Sequence, residues 1–167
     1  YYENTIFAFF GDHNTAMKRT ENYTKEYDLN IQLQHVPFFI HAPNYIKPNT
    51  ISKNGKLIDL FPTVAHLAKL NHTNYTLGNN LLDSIPEKST SFVYLKIKGE
   101  PAVGLLQDSL YYSKTTVTNT TALYNLKTKD LNDLKDDYPL MTKKMDSLLN
   151  AFYHSTKYLY FNNKKVK

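Results

Sequence analysis

The chain is 167 residues long, contains no cysteine, and carries 20 basic against 15 acidic side chains, a formal net charge of +5. That length corresponds to one domain, or one with a small appendage, and is enough to bury a core without staples. The missing cysteines exclude a disulfide framework, thiolate zinc and iron–sulfur sites, and a cysteine nucleophile.

Only Arg19 among the basic residues is arginine. A site built from several bidentate arginine forks on phosphate is therefore excluded. The lysine excess, with abundant Asn and Tyr and no Trp, reads as a compositional bias. No apolar run approaches the roughly 20 residues of a spanning helix. The first residues lack the charged and apolar regions of a secretory signal. The chain does not begin with Met, and a buried-strand pattern starts almost at once. It reads as a segment of a longer protein, and without its N-terminal half the face of the Ile6–Phe10 strand should be exposed or covered by a neighbour.

In chain order, Thr5-Ile6-Phe7-Ala8-Phe9-Phe10 is a continuous β-prone run ending at Gly11. Such runs suit strands covered on both faces of a parallel or mixed sheet. Residues 14–34 are polar and read as a long loop. Val36-Pro37-Phe38-Phe39-Ile40-His41-Ala42-Pro43 is a second buried strand, with its prolines at the ends where no ladder donor is needed. Residues 57–68 predict a helix, with Leu57, Leu60, Phe61, Val64, Leu67 and Ala68 on one face. Asp59 is its candidate N-cap, and Pro62 sits in the first turn.

From residue 91 the texture changes. Short β-prone runs at 92–97, 102–107, 110–114 and 121–126 are separated by tight turn signals and predict an antiparallel meander. A helix follows from Pro139, with Met141, Met145, Leu148, Leu149 and Phe152 on one face and Asp137 as candidate cap. The aromatic stretch 157–161 is expected to dock as a tail, and the last residues to fray. The chain divides at residue 88: an α/β part at 1–88, then a small antiparallel sheet with one helix at 89–167.

Gly11-Asp12-His13 stands where a buried strand ends, the position where ligand groups gather in open α/β sheets. A carboxylate and an imidazole at adjacent positions can ligate one divalent cation. The plain alternative is an Asp cap and a His bonded to backbone. His41, ending the second strand, could approach the same sheet edge. His35 reads as a loop residue, His66 as a structural residue between core positions of its helix, and His72 and His154 as helix-end residues. No Gly-x-Ser-x-Gly, P-loop or His-Glu-x-x-His motif is present.

Five segments in one order resemble the sulfatase-like branch of the alkaline phosphatase superfamily. They are the strand through Gly11-Asp12-His13, the Val36–Pro43 strand, Leu57-Ile58-Asp59-Leu60-Phe61-Pro62-Thr63, Leu77-Gly78-Asn79-Asn80-Leu81-Leu82, and Ala122-Leu123-Tyr124-Asn125-Leu126 with Asp130. Within that branch, His41 and the tail Tyr158-Leu159-Tyr160-Phe161-Asn162-Asn163 look most like lipoteichoic acid synthase-type phosphoglycerol transferases. Asn14 departs from the family pattern.

The resemblance implies an α/β fold, part of a sulfatase-like sandwich (a mixed sheet with helices on both faces) plus a small C-terminal antiparallel sheet with one helix. It implies a metal-dependent phosphoglycerol- or phosphoethanolamine-type transferase of the cell envelope, working through a covalent threonine. Asp12 and His13 match the metal-ligand pair, with Asn14 and His41 as candidate substrate contacts. The nucleophile matches nothing in this chain, so the chain by itself is expected to be inactive. One divalent cation is implied, Mn²⁺ or Zn²⁺ ahead of Ca²⁺ or Mg²⁺. The implied partners are a lipid-linked phosphoglycerol or similar anionic substrate and the N-terminal half of the same protein, not nucleic acid. Upstream helices would anchor the protein at the extracytoplasmic face of the cell membrane. A sulfatase or phosphodiesterase on the same scaffold is the nearer alternative, and a non-catalytic module binding anionic polymer the more distant one.

Overall fold

A computed structural model describes residues 1–13, 27–83, 90–128 and 130–162. The first strands are β1 (Phe7–Phe10) and β2 (Phe38–His41). They pair antiparallel with each other, Phe7 opposite His41 and Phe10 opposite Phe38. Gly11 extends the pairing by donating its N–H to the Pro37 carbonyl at 3.1 Å. Among the described residues these two strands form a sheet of their own, so each keeps a free edge. Phe9 stacks on Phe39 with ring centroids 4.7 Å apart, yet Phe9, Phe10, Phe38 and Phe39 all stay exposed. The sequence expects these strands to be buried on both faces, and in this chain they are not.

A 3₁₀ turn (Leu57–Asp59) leads into α1 (Leu60–Leu67). The buried side of this unit differs from the predicted one. Leu57 and Phe61 point outward, while Asp59, Pro62, Thr63, Ala65 and Leu67 are buried. Hydrogen bonds explain the reversal. The Thr63 hydroxyl donates to the Asp59 carbonyl at 2.6 Å and accepts from the Leu81 N–H at 3.0 Å. Asp59 does not cap α1 with its side chain. Its carboxylate instead accepts the Lys56 N–H at 2.7 Å and the Asn79 N–H at 2.8 Å. The Lys56 ammonium lies 3.3 Å from the same carboxylate. Two polar side chains thus pin the 78–81 segment against the helix.

Gly78 makes that approach possible. A Cβ there would fall 2.0 Å from the Ile58 carbonyl oxygen, a backbone atom with no freedom to yield. Gly78→Ala should therefore destabilise the protein by about 1–3 kcal/mol through overpacking. Gly55 is the control. A Cβ there would meet Leu81 at an ordinary 3.5 Å, so Gly55→Ala should stay within about 0.5 kcal/mol of the parent. Thermal melts of the two variants check the contrast.

The second sheet is the predicted meander. Strands β3 (Thr90–Ile97), β4 (Glu100–Gln107), β5 (Leu110–Thr115) and β6 (Thr121–Asn125) lie in sequence order, all antiparallel. Lys98 and Gly99 both have positive φ, +50° and +84°, the conformation that two-residue hairpins need to match strand twist. Glu100 clamps the β5–β6 connection by accepting the Val117 and Thr118 N–H groups, each at 2.7 Å. The Thr118 N–H bond is the main reason its carboxyl is held below the usual range.

Helix α2 (Pro139–Asn162) covers one face of this sheet. Met145 and Leu149 are fully buried against Val103, Leu105, Tyr112 and Leu123, with Met141, Leu148 and Phe152 packed beside them. On the other face Leu95, Ala102 and Tyr111 form a core with Ile31. The same segment reaches the edge strand: Asn30 and Gln34 donate side-chain N–H groups to the carbonyls of Lys96 and Tyr94. The predicted aromatic tail does not dock as a separate piece. The helix continues through it to Asn162, and Tyr158, Tyr160 and Phe161 are exposed.

Candidate metal centre

β1 delivers Asp12 and His13 at its C-terminal end, and Gly11 sets the close approach there. A Cβ on Gly11 would press on Val36 at 3.0 Å. Beyond that contact the chain leaves the ribbon, and both side chains project outward, 81% exposed for Asp12 and 78% for His13. One Asp12 carboxylate oxygen accepts the His13 N–H at 2.9 Å. The other lies 3.7 Å from His13 Nε2.

That separation suits shared ligation. Two ligands at about 2.1 Å on neighbouring vertices of a tetrahedron sit roughly 3.4 Å apart, within a few tenths of the observed spacing. The donor types, one carboxylate oxygen and one imidazole nitrogen, fit a borderline divalent cation. The two side chains can supply only part of a coordination shell. Among the described residues no group of three or more His, Asp or Glu side chains could hold a metal ion.

His41 does not join this pair. Antiparallel pairing sets it opposite Phe7, at the far end of β1 from Asp12. At about 3.4 Å per strand residue, that is on the order of 15 Å away. There His41 Nε2 meets the Tyr2 hydroxyl, and the ring packs near Tyr2 and Phe7. The expectation that both strand ends reach one sheet edge assumed a shared direction, which these strands lack. Asn14 lies outside the described residues.

A cluster that the sequence reading missed joins the second sheet to α2. Asp146 accepts the Tyr112 hydroxyl and the Lys114 ammonium, each at 2.9 Å, and the Asn150 amide at 3.1 Å. Burial alone would raise the Asp146 pKa. The bonds from Lys114, Tyr112 and Asn150 outweigh it and hold the carboxylate below its ordinary value. Burial first, then the bond to Asp146, pushes the Tyr112 phenol up. Tyr112, Lys114 and Asp146 line a cleft of about 470 Å³ with Lys135 and Lys143, and the Lys114–Asp146 pair in it reads as a structural clamp. A readable signal existed: Asp146 directly follows the core residue Met145 in an otherwise amphipathic helix.

Residues 1–70 match the family model described as Sulfatase. The chain is 38% identical over 93 residues to the lipoteichoic acid synthase-like YvgJ of Bacillus subtilis (strain 168), covering 48% of this chain and 15% of that protein. It is 32% identical over 117 residues to lipoteichoic acid synthase 2 of the same organism, covering 59% of this chain and 18% of that one. The chain thus spans less than a fifth of the length of these curated relatives. In fold it is similar to the lipoteichoic acid synthase LtaP from Listeria monocytogenes, with a TM-score of 0.60 at 23% identity, over 95% of this chain and 39% of that one. Over the parts they cover, these matches make the chain similar to sulfatases and to lipoteichoic acid synthase-type proteins.

Proposed function

We propose that the protein carrying this chain is a metal-dependent phospho-group transferase of the cell envelope. It moves a phosphoglycerol-type group from a lipid donor through a covalent threonine that this chain does not contain. The observation that carries the reading is the Asp12–His13 pair, 3.7 Å apart at the end of β1, inside the region that matches the family model. Asp12 and His13 would hold one Mn²⁺ or Zn²⁺. When bound, such a cation supplies positive charge to the transferring oxyanion and lowers the pKa of the attacking hydroxyl.

The chain's own part is to present the two donors. Asp12 ligates as the ionised carboxylate, and His13 as the neutral imidazole. The bond from the His13 N–H orients the Asp12 carboxylate beside the ring. Exposure of both side chains leaves their outer surfaces open to the remaining ligands and to substrate. No described helix is long and apolar enough to cross a membrane.

The sulfatase family match favours a second reading, a sulfuric or phosphoric ester hydrolase on the same scaffold. One assay separates the two. With Mn²⁺ present, the protein carrying this chain should transfer glycerol phosphate from phosphatidylglycerol to a hydroxyl acceptor and leave an aryl sulfate intact. Sulfate release, or glycerol phosphate released to water with none transferred, would overturn the transferase reading and establish the second.

A further inference from the structure

After Asp146 the sequence contains no acidic residue, while Lys157, Lys164, Lys165 and Lys167 follow. These last 21 residues therefore hold +4 of the chain's formal +5. The same stretch includes the end of α2, which outruns the sheet it covers. Phe152 is the last residue packed on the core cluster, and ten helical residues follow it. At 1.5 Å per residue they reach about 15 Å further.

The outward side of those turns is aromatic. Tyr153 and Tyr160 are seven residues apart, and Tyr153, Lys157 and Phe161 are spaced by four, so they share one side of the helix with Tyr158 beside them. Tyr158 is 66% exposed, Tyr160 82% and Phe161 65%. Leu159, seven residues after Phe152, is half-buried and continues the inward side. Exposed rings around Lys157, in a stretch of sequence with three more lysines and no acid, are the composition of a helix that lies in a membrane interface. The rings sit at headgroup depth, and the lysines meet anionic lipid.

We infer that the end of α2 is a docking surface for an anionic lipid bilayer, which orients the domain against the membrane without spanning it. The inference is independent of the chemistry proposed for Asp12 and His13. A soluble anionic polymer fits less well, because it would use the lysines and leave the rings in water.

A polarity-sensitive fluorophore on Tyr160→Cys, in the protein carrying this chain, tests it. This chain has no competing cysteine. Vesicles of equal parts phosphatidylglycerol and phosphatidylcholine should shift the emission to the blue. Pure phosphatidylcholine should not, and a label on Ser155→Cys should respond far less. Replacing Lys157, Lys164 and Lys165 together by glutamine should weaken the response on the order of a hundredfold, at about 1 kcal/mol per lysine. Salt near 1 M, where the Debye length is about 3 Å, should reverse it. Three results would each overturn the inference: no shift with anionic vesicles, an equal shift with soluble polyphosphate, or a shift without vesicles that grows with protein concentration. The last would assign the stripe to self-association.

Discussion

Asp59→Ala is expected to cost about 3–5 kcal/mol of stability, the range for breaking a buried ion pair by removing one partner. The magnitude follows from burial. Asp59 is 1% exposed and the Lys56 side chain 9%, so the near-zero value of a surface pair does not apply. The carboxylate serves three donors: the Lys56 N–H, the Asn79 N–H and the Lys56 ammonium. Alanine would leave both N–H groups unsatisfied in a closed site and the Lys56 ammonium with only the Thr90 carbonyl, at 3.1 Å. Asp59→Asn should rescue only partly, because both oxygens accept in the parent and an amide offers one acceptor. For a chain of this size the alanine variant should melt on the order of 10 °C lower. A loss below about 2 °C would show that the network contributes little.

Asp12→Ala and His13→Ala are each expected to lower kcat/KM of the protein carrying this chain by at least about a hundredfold. Losing a mere outer-shell partner of a metal site costs 10–100-fold, and a direct ligand costs no less. Neither change should unfold the protein. Both side chains stand in solvent, where substitutions stay within about 0.5 kcal/mol. The pairing of large kinetic loss with an unchanged melt separates a ligand role from a structural one. His41→Ala gives the internal contrast: it lies at the far end of β1 and should leave kcat/KM nearly unchanged. A comparable loss at His41 would contradict the division of the sheet into two ends.

The second sheet was legible because its signals are local. Strand runs alternate, Lys98-Gly99 marks its hairpin, and each strand pairs with the next in sequence. The core face of α2 was legible for the same reason, since Met145, Leu149 and Phe152 recur at helical spacing. The end of α2 was misread as a tail because its tyrosines look strand-like. The better signal was the absence of Gly or Pro after Pro139 to stop the helix.

Strand direction was not legible. A short apolar run says that a strand is covered, not what pairs with it, so the position of His41 relative to Asp12 could not be read. The buried side of α1 was hidden for another reason. Asp59 and Thr63 are polar, and only their partners across the 78–81 segment make their burial favourable. At the candidate metal centre the donor pair was readable from Gly11-Asp12-His13, whereas its exposure depends on what packs around the strand end, which a local motif does not show.

The central claim is that Asp12 and His13 ligate a catalytic cation. Metal content per chain, measured on the protein carrying this chain after equilibration with Mn²⁺ or Zn²⁺ and desalting, tests it most directly. One tightly held ion is expected in the parent protein and its loss in both Asp12→Ala and His13→Ala, with unchanged melts of the metal-free forms. Retention of the ion at parental affinity by either variant, or no bound ion in the parent protein, would contradict it.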